Sequence, residues 1–127
     1  MRKIIKLTWQ DIDDIINKLS PELTGFNNIY AIPRGGLIPA VILSHKLNIS
    51  ITNKIDSKTL ILDDICDSGF TIKKFLNTNK VACLITLSNT DIIYGKQYKK
   101  NTWIEFPWEN PSNTKFDLKD YENKRNI

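Results

Sequence analysis

No apolar run in the 127-residue sequence approaches the ~18 residues that a bilayer-spanning helix needs. The basic start, Arg2-Lys3-Ile4-Ile5-Lys6, breaks off before it can build the apolar centre of a secretory signal. A soluble, unexported protein without a membrane partner is expected. Cysteine is scarce: Cys66 and Cys83 fall in different predicted elements, which excludes a disulfide framework and points to a reducing, cytoplasmic address. The single histidine, His45, sits on a predicted helix where solvation or packing accounts for it. A basic stripe is also missing. Lys+Arg 18 against Asp+Glu 14 leaves a net charge of +4, but the lysines are scattered, which argues against a nucleic-acid groove and suits a small phosphorylated ligand. With no internal repeat and no linker, residues 1–127 are expected to form one domain, ending in a polar tail at about 111–127. The content is ordinary for a globular core: 41% hydrophobic and 25% charged.

Thr8-Trp9-Gln10-Asp11 sets a capping hydroxyl three residues before a carboxylate. Ile12, Ile15, Ile16 and Leu19 then recur at helical spacing until Ser20-Pro21, predicting a helix over 9–19. Ile29-Tyr30-Ala31-Ile32 reads as a strand running into Pro33-Arg34-Gly35-Gly36, and the apolar pattern of 37–47 as the helix that follows. A short strand at 49–52 and a fully apolar one at 59–62 come next, then a helix from Ser68 to about Asn77 and a buried strand over 80–87. Segments 92–98 and 103–106 suggest two more strands. This alternation predicts an α/β fold with a mainly parallel sheet, whose ligands bind at the carboxyl ends of the strands.

The chemistry concentrates in Leu60-Ile61-Leu62-Asp63-Asp64-Ile65-Cys66-Asp67-Ser68-Gly69-Phe70-Thr71. An apolar strand delivers three carboxylates to its end, and a Ser-Gly-x-Thr loop then offers amides and hydroxyls to a phosphate at a helix start. Gly69 permits a backbone turn that a Cβ would obstruct. Carboxylates beside a phosphate site repel it unless they bind hydroxyls or Mg²⁺, so the combination suggests a sugar phosphate with a metal. The Walker pattern GxxxxGK is absent. Taken singly, each acid or glycine also fits a plain turn. Cys66, flanked by carboxylates, reads as a small packing residue rather than a nucleophile.

The full run strongly resembles the signature of the type I phosphoribosyltransferases, which bind 5-phosphoribosyl-1-pyrophosphate. Two more segments agree. Ala31-Ile32-Pro33-Arg34-Gly35-Gly36-Leu37-Ile38-Pro39-Ala40 is similar to the pyrophosphate loop of the 6-oxopurine branch. Thr102-Trp103-Ile104-Glu105-Phe106-Pro107-Trp108-Glu109 is similar to the base-binding segment of the bacterial xanthine-guanine enzymes. The resemblance spans residues 29–109, leaving the first helix and the tail as candidate parts of the small hood that covers the base in this family. Without the family, Pro33-Arg34-Gly35-Gly36 offers amides and a guanidinium suited to pyrophosphate but also fits a simple connection, and 103–108 also reads as a core aromatic cluster.

The resemblance implies that Asp63 and Asp64 hold the ribose hydroxyls and Mg²⁺, and that Arg34, Gly35 and Gly36 receive pyrophosphate. It further implies that Ser68, Gly69, Phe70 and Thr71 anchor the 5′-phosphate, with Asp67 as the base that takes a proton from purine N7. Arg34 and Asp67 are thus the catalytic candidates, Trp103 and Ile104 would contact the base, and the Arg34-Gly35 peptide is expected to be cis. A homo-oligomer is expected, as is common in the family. Three departures stand out. The long flexible loop that closes over the centre is reduced to residues 48–58. Where the 6-oxopurine enzymes generally carry a lysine for purine O6, this chain has Asn89, which can donate but adds no charge, with Lys96 as a nearby alternative. Phe70 and Ser68 stand in phosphate-loop positions usually held by a smaller residue and by Thr. The shortened loop also suits a catalytically weak protein of this fold that senses phosphoribosyl pyrophosphate or a nucleotide.

Overall fold

Period-two side-chain alternation inside fully apolar segments lets a strand bury both faces, and β4 (Thr59–Cys66) and β5 (Val81–Thr86) do so at the centre of the molecule. The computed structural model describes residues 2–110 together with Lys119 and Asn123; the rest of the expected tail at 111–127 lies outside the described residues. With β2 (Asn28–Ala31), β3 (Ser50–Ile51) and β6 (Ile93–Gln97) they form a five-stranded parallel sheet in the order β3-β2-β4-β5-β6. Leu60, Leu62, Ala82 and Leu84 face one side, and Ile61, Val81 and Cys83 the other.

Helices α1 (Trp9–Leu19) and α2 (Leu37–Leu47) cover the first side. The capping box expected for α1 is present: Asp11 N donates to Thr8 Oγ1 at 3.1 Å, and Thr8 N donates to Asp11 Oδ2 at 2.8 Å. Its four periodic apolar residues are all buried, each contributing ~1.5–3 kcal/mol over exposure. The helix lies close on β6, where a Cβ on Gly95 would sit 2.4 Å from Ile15 Cγ2. α1 is therefore part of the main core rather than of a hood.

On the second side, the helix expected over 68–77 is reduced to a single 3-10 turn, Lys73–Phe75. Only Ile72 of this stretch is fully buried, so a helix there would have little apolar face to bury. Polar side chains also divert the backbone. Thr78 Oγ1 donates back to Phe75 O, and Asn79 Nδ2 donates to Asp56 O at 2.8 Å and to Thr59 O at 3.0 Å, turning the chain toward β5.

A second sheet pairs β1 (Lys3–Lys6) in parallel with β7 (Thr102–Glu105). The sequence reading had no strand at β1 and placed 103–106 among the strands of the βα alternation. The two strands instead form a separate hood, joined to the main core through Leu7, Ile104 and Phe106. No helix among the described residues is long and apolar enough to cross a membrane.

Candidate active site

β4 ends in the acidic run. Asp63 is buried and Asp64 half-buried, and each carboxylate accepts a backbone amide at 2.8 Å, Asp63 Oδ1 from Asp64 N and Asp64 Oδ1 from Ile65 N. Burial raises the pKa of both, and repulsion from Asp63 adds to the rise at Asp64, which goes well above the ordinary value. Two adjacent carboxylates largely withdrawn from water, with Asp63 opposing the ionisation of Asp64, form a donor set suited to a cation. Among the described residues no group of three or more His, Cys, Asp or Glu could enclose a metal by itself. The pair thus fits Mg²⁺, which takes one or two carboxylates and fills its remaining positions with water and substrate phosphates.

The glycine loop after β2 meets this run directly. A Cβ on Gly35 would lie 2.4 Å from Asp64 Oδ2, and one on Gly36 would lie 2.5 Å from Leu62 O and 2.8 Å from Ile32 O. Only glycines let the two strand ends approach so closely. The cis peptide is one residue earlier than expected, at Pro33-Arg34 rather than Arg34-Gly35. Arg34 is exposed, and its carbonyl accepts from Leu37 N at 3.1 Å as α2 begins.

Beyond β4, Gly69 takes φ +82° and Phe70 N donates to Ser68 Oγ at 3.2 Å, forming the tight turn the phosphate-loop reading called for. Because only a 3-10 turn follows, the turn's amides have no helix macrodipole behind them, contrary to the sequence expectation. Phe70 is 77% exposed. A cleft of about 160 Å³ runs along residues 63–72 and takes in Asp63, Asp64, Asp67, Ser68, Gly69, Phe70 and Thr71.

A second cleft, about 170 Å³, lies under the hood and is walled by Arg2, Leu87, Thr102, Trp103, Ile104 and Phe106. Asp64 and Asp67 line both clefts, so the two meet at these carboxylates. The aromatic stretch divides its work. Trp103 and Phe106 both line the cleft, and behind it Phe106 stacks on Trp108 at 4.7 Å and Trp108 meets Trp9 at 5.9 Å. Asn89 lines a neighbouring cleft with Ser88, Lys99 and Lys100, and Lys96 Nζ lies 4.8 Å over the Tyr98 ring.

Sequence reasoning missed Arg2. Its Nη1 donates to Asp67 Oδ2 at 2.5 Å and to Thr102 O at 3.5 Å, with the two paired side chains only 9% and 11% exposed. Nothing local marks it, since its partners are 65 and 100 positions away. Cys66 differs from its reading as well. Hydrogen bonds from Cys83 and then Ser88, Thr90 and Thr86 outweigh burial and lower its thiol to about 6. At 2% exposure it remains a packing residue.

No protein-family model matches the chain. It is 26% identical over 134 residues to a xanthine-guanine phosphoribosyltransferase of Vibrio atlanticus, covering 81% of this chain and 87% of that one. The crystal structure of a purine phosphoribosyltransferase from Pyrococcus horikoshii Ot3 superposes with a TM-score of 0.70 at 28% identity, covering 84% of this chain and 95% of the other. A Helicobacter pylori xanthine-guanine-hypoxanthine phosphoribosyltransferase shares the fold, with a TM-score of 0.68 at 15% identity over 97% of this chain and 99% of that one. A parallel sheet flanked by helices, with acids and a tight loop at the carboxyl end of its central strand, is the type I phosphoribosyltransferase fold. The relatives that the chain resembles over about four fifths of its length are type I phosphoribosyltransferases of the 6-oxopurine branch, and they support a phosphoribosyltransferase.

Proposed function

We propose that this enzyme moves the 5-phosphoribosyl group of phosphoribosyl pyrophosphate onto a 6-oxopurine, guanine, xanthine or hypoxanthine, and releases pyrophosphate. The observation that carries this reading is the junction of the two clefts at Asp64 and Asp67. One cleft has the acids and the tight amide loop that a ribose 5-phosphate requires; the other has an indole wall suited to a flat base. The bond made and the bond broken both belong to the ribose carbon that would lie between them.

In this mechanism a purine ring nitrogen attacks C1 of the ribose as the bond from C1 to the pyrophosphate oxygen breaks, and the purine N7 proton passes to Asp67. Asp63 and Asp64 hold the ribose hydroxyls and would hold Mg²⁺, which when bound supplies charge neutralisation for the pyrophosphate. Arg34 and the Gly35 and Gly36 amides receive the leaving group, and Ser68, Gly69, Phe70 and Thr71 hold the 5′-phosphate. Trp103 and Ile104 bind the base, with Asn89 reaching it from the adjacent cleft. The reading takes residues 1–127 as one cytoplasmic domain that works in purine salvage as a homo-oligomer.

The test is to incubate the protein with Mg²⁺, phosphoribosyl pyrophosphate and each of guanine, xanthine, hypoxanthine and adenine, and to identify products by mass spectrometry. A nucleoside monophosphate from a 6-oxopurine is expected. The short passage from β3 to β4, residues 52–58, favours one other reading, a sensor of the same ligands. Binding of the phosphorylated sugar by calorimetry, with no nucleotide from any base, would establish it instead.

A further inference from the structure

We infer that Arg2 is the residue that selects a purine bearing an oxygen at C6, acting side by side with Asp67. The inference rests on the purine-transfer reading above and adds the group that sets its base specificity.

Arg2 is the only cation among the described residues that line the base cleft. Its Nη1 donates to the Asp67 carboxylate and to the Thr102 carbonyl, and the strand that follows it pairs Lys3 with Thr102 in the hood. The ion pair sits where the two clefts join and is largely withdrawn from water, so its hydrogen bonds are worth more than at an open surface. The result is a carboxylate and a guanidinium presented together to one edge of whatever lies against Trp103.

The purine edge that such a pair fits is the one carrying N7 and the C6 substituent, which are neighbours on the ring. In a 6-oxopurine protonated at N7, that edge reads donor then acceptor. Asp67 accepts from N7–H and Arg2 donates to O6. In adenine the C6 substituent is an amino group, a donor, and it would face the donor-only guanidinium. A site built this way both rewards the oxygen and penalises the amine. Arginine presents five N–H donors in one plane, so a single side chain can hold Asp67 and address the purine together. Neither other candidate is so placed: Asn89 lines the adjoining cleft and Lys96 covers Tyr98.

The experiment compares the wild type with Arg2→Met, which keeps the aliphatic stem, and Arg2→Lys, which restores a positive charge. KM is measured separately for guanine and for phosphoribosyl pyrophosphate, with adenine as the competing base. Arg2→Met is expected to raise the guanine KM at least ~10-fold, leave the phosphoribosyl pyrophosphate KM within about twofold and narrow the preference for guanine over adenine; Arg2→Lys should recover most of the loss. An unchanged guanine KM, or both KM values rising together in Arg2→Met, would overturn the assignment. Equal use of adenine and guanine by the wild type would also overturn it while leaving phosphoribosyl transfer standing. No nucleotide from any base would defeat the purine-transfer reading itself, and this inference with it.

Discussion

The five-stranded sheet and the two-stranded hood hold the two adjoining clefts by different means. In the sheet, all six residues of β5 and the first five of β4 are buried, and the acids follow directly from an apolar strand. The hood pairs four residues near one end of the chain with four beyond position 100, and all four residues of β1 remain at least partly exposed. Two strands are marginal by themselves. The hood therefore depends on Leu7, Ile104 and Phe106 entering the main core and on the Arg2–Asp67 pair at its edge. The lesson is a division of labour: the acids and the tight loop are carried by the sheet, while the aromatic cleft is walled by an element that only the finished fold creates.

The sharpest way to probe the seam between these regions is Asp67→Ala. Turnover should fall ~10²–10⁴-fold, the usual worth of a general base, with the affinity for phosphoribosyl pyrophosphate nearly unchanged by calorimetry. Equal losses in both would remove Asp67 from that role. Inside the sheet, Gly36→Ala drives a methyl against two backbone carbonyls and should lower the unfolding free energy by about 1–3 kcal/mol in urea titrations. A wild-type midpoint would mean that the glycine loop yields more readily than its contacts imply.

The acid pair gives a pH test confined to the sheet. A carboxylate whose folded pKa lies above its unfolded value favours the fold most when protonated, and that contribution is lost as pH rises through the folded value. Burial raises both Asp63 and Asp64. In metal-free buffer this pair should therefore lower stability as pH climbs from about 4 toward neutrality, and Asp64→Asn should flatten the slope in thermal melts. A slope unchanged by that substitution would assign it to other groups. The smallest expected effect lies away from both clefts. Thr8→Ala removes the side chain that accepts from Asp11 N and should cost about 1 kcal/mol, read as a lower Tm with unaltered KM values. A changed guanine KM would mean that α1 and the hood are coupled more tightly than their separate packing suggests.

The parts legible in advance share one property: their causes are local. The capping box and spacing of Ile12, Ile15, Ile16 and Leu19 set α1 to the residue, and the apolar run into Asp63 and Asp64 identified the strand and the acids it carries. The 3-10 turn at Lys73–Phe75 was misjudged because its shape depends on where Asn79 finds its acceptors, in a segment 20 residues back. The cis bond was placed one residue late, since a resemblance carries a feature but not its register.

By itself the sequence determined the parallel sheet, the alternation of its strands and helices, and the acidic run and tight loop at the end of its central strand, because burial of apolar strands and the backbone freedom of glycine act within a few residues of their cause. Only the tertiary structure decided that β1 and β7 would pair, that Gly35 would lie against Asp64, and that Arg2 would reach Asp67. Those contacts join residues far apart in the chain. No periodicity or motif encodes them, and they exist only once the core has brought the strand ends and the hood together.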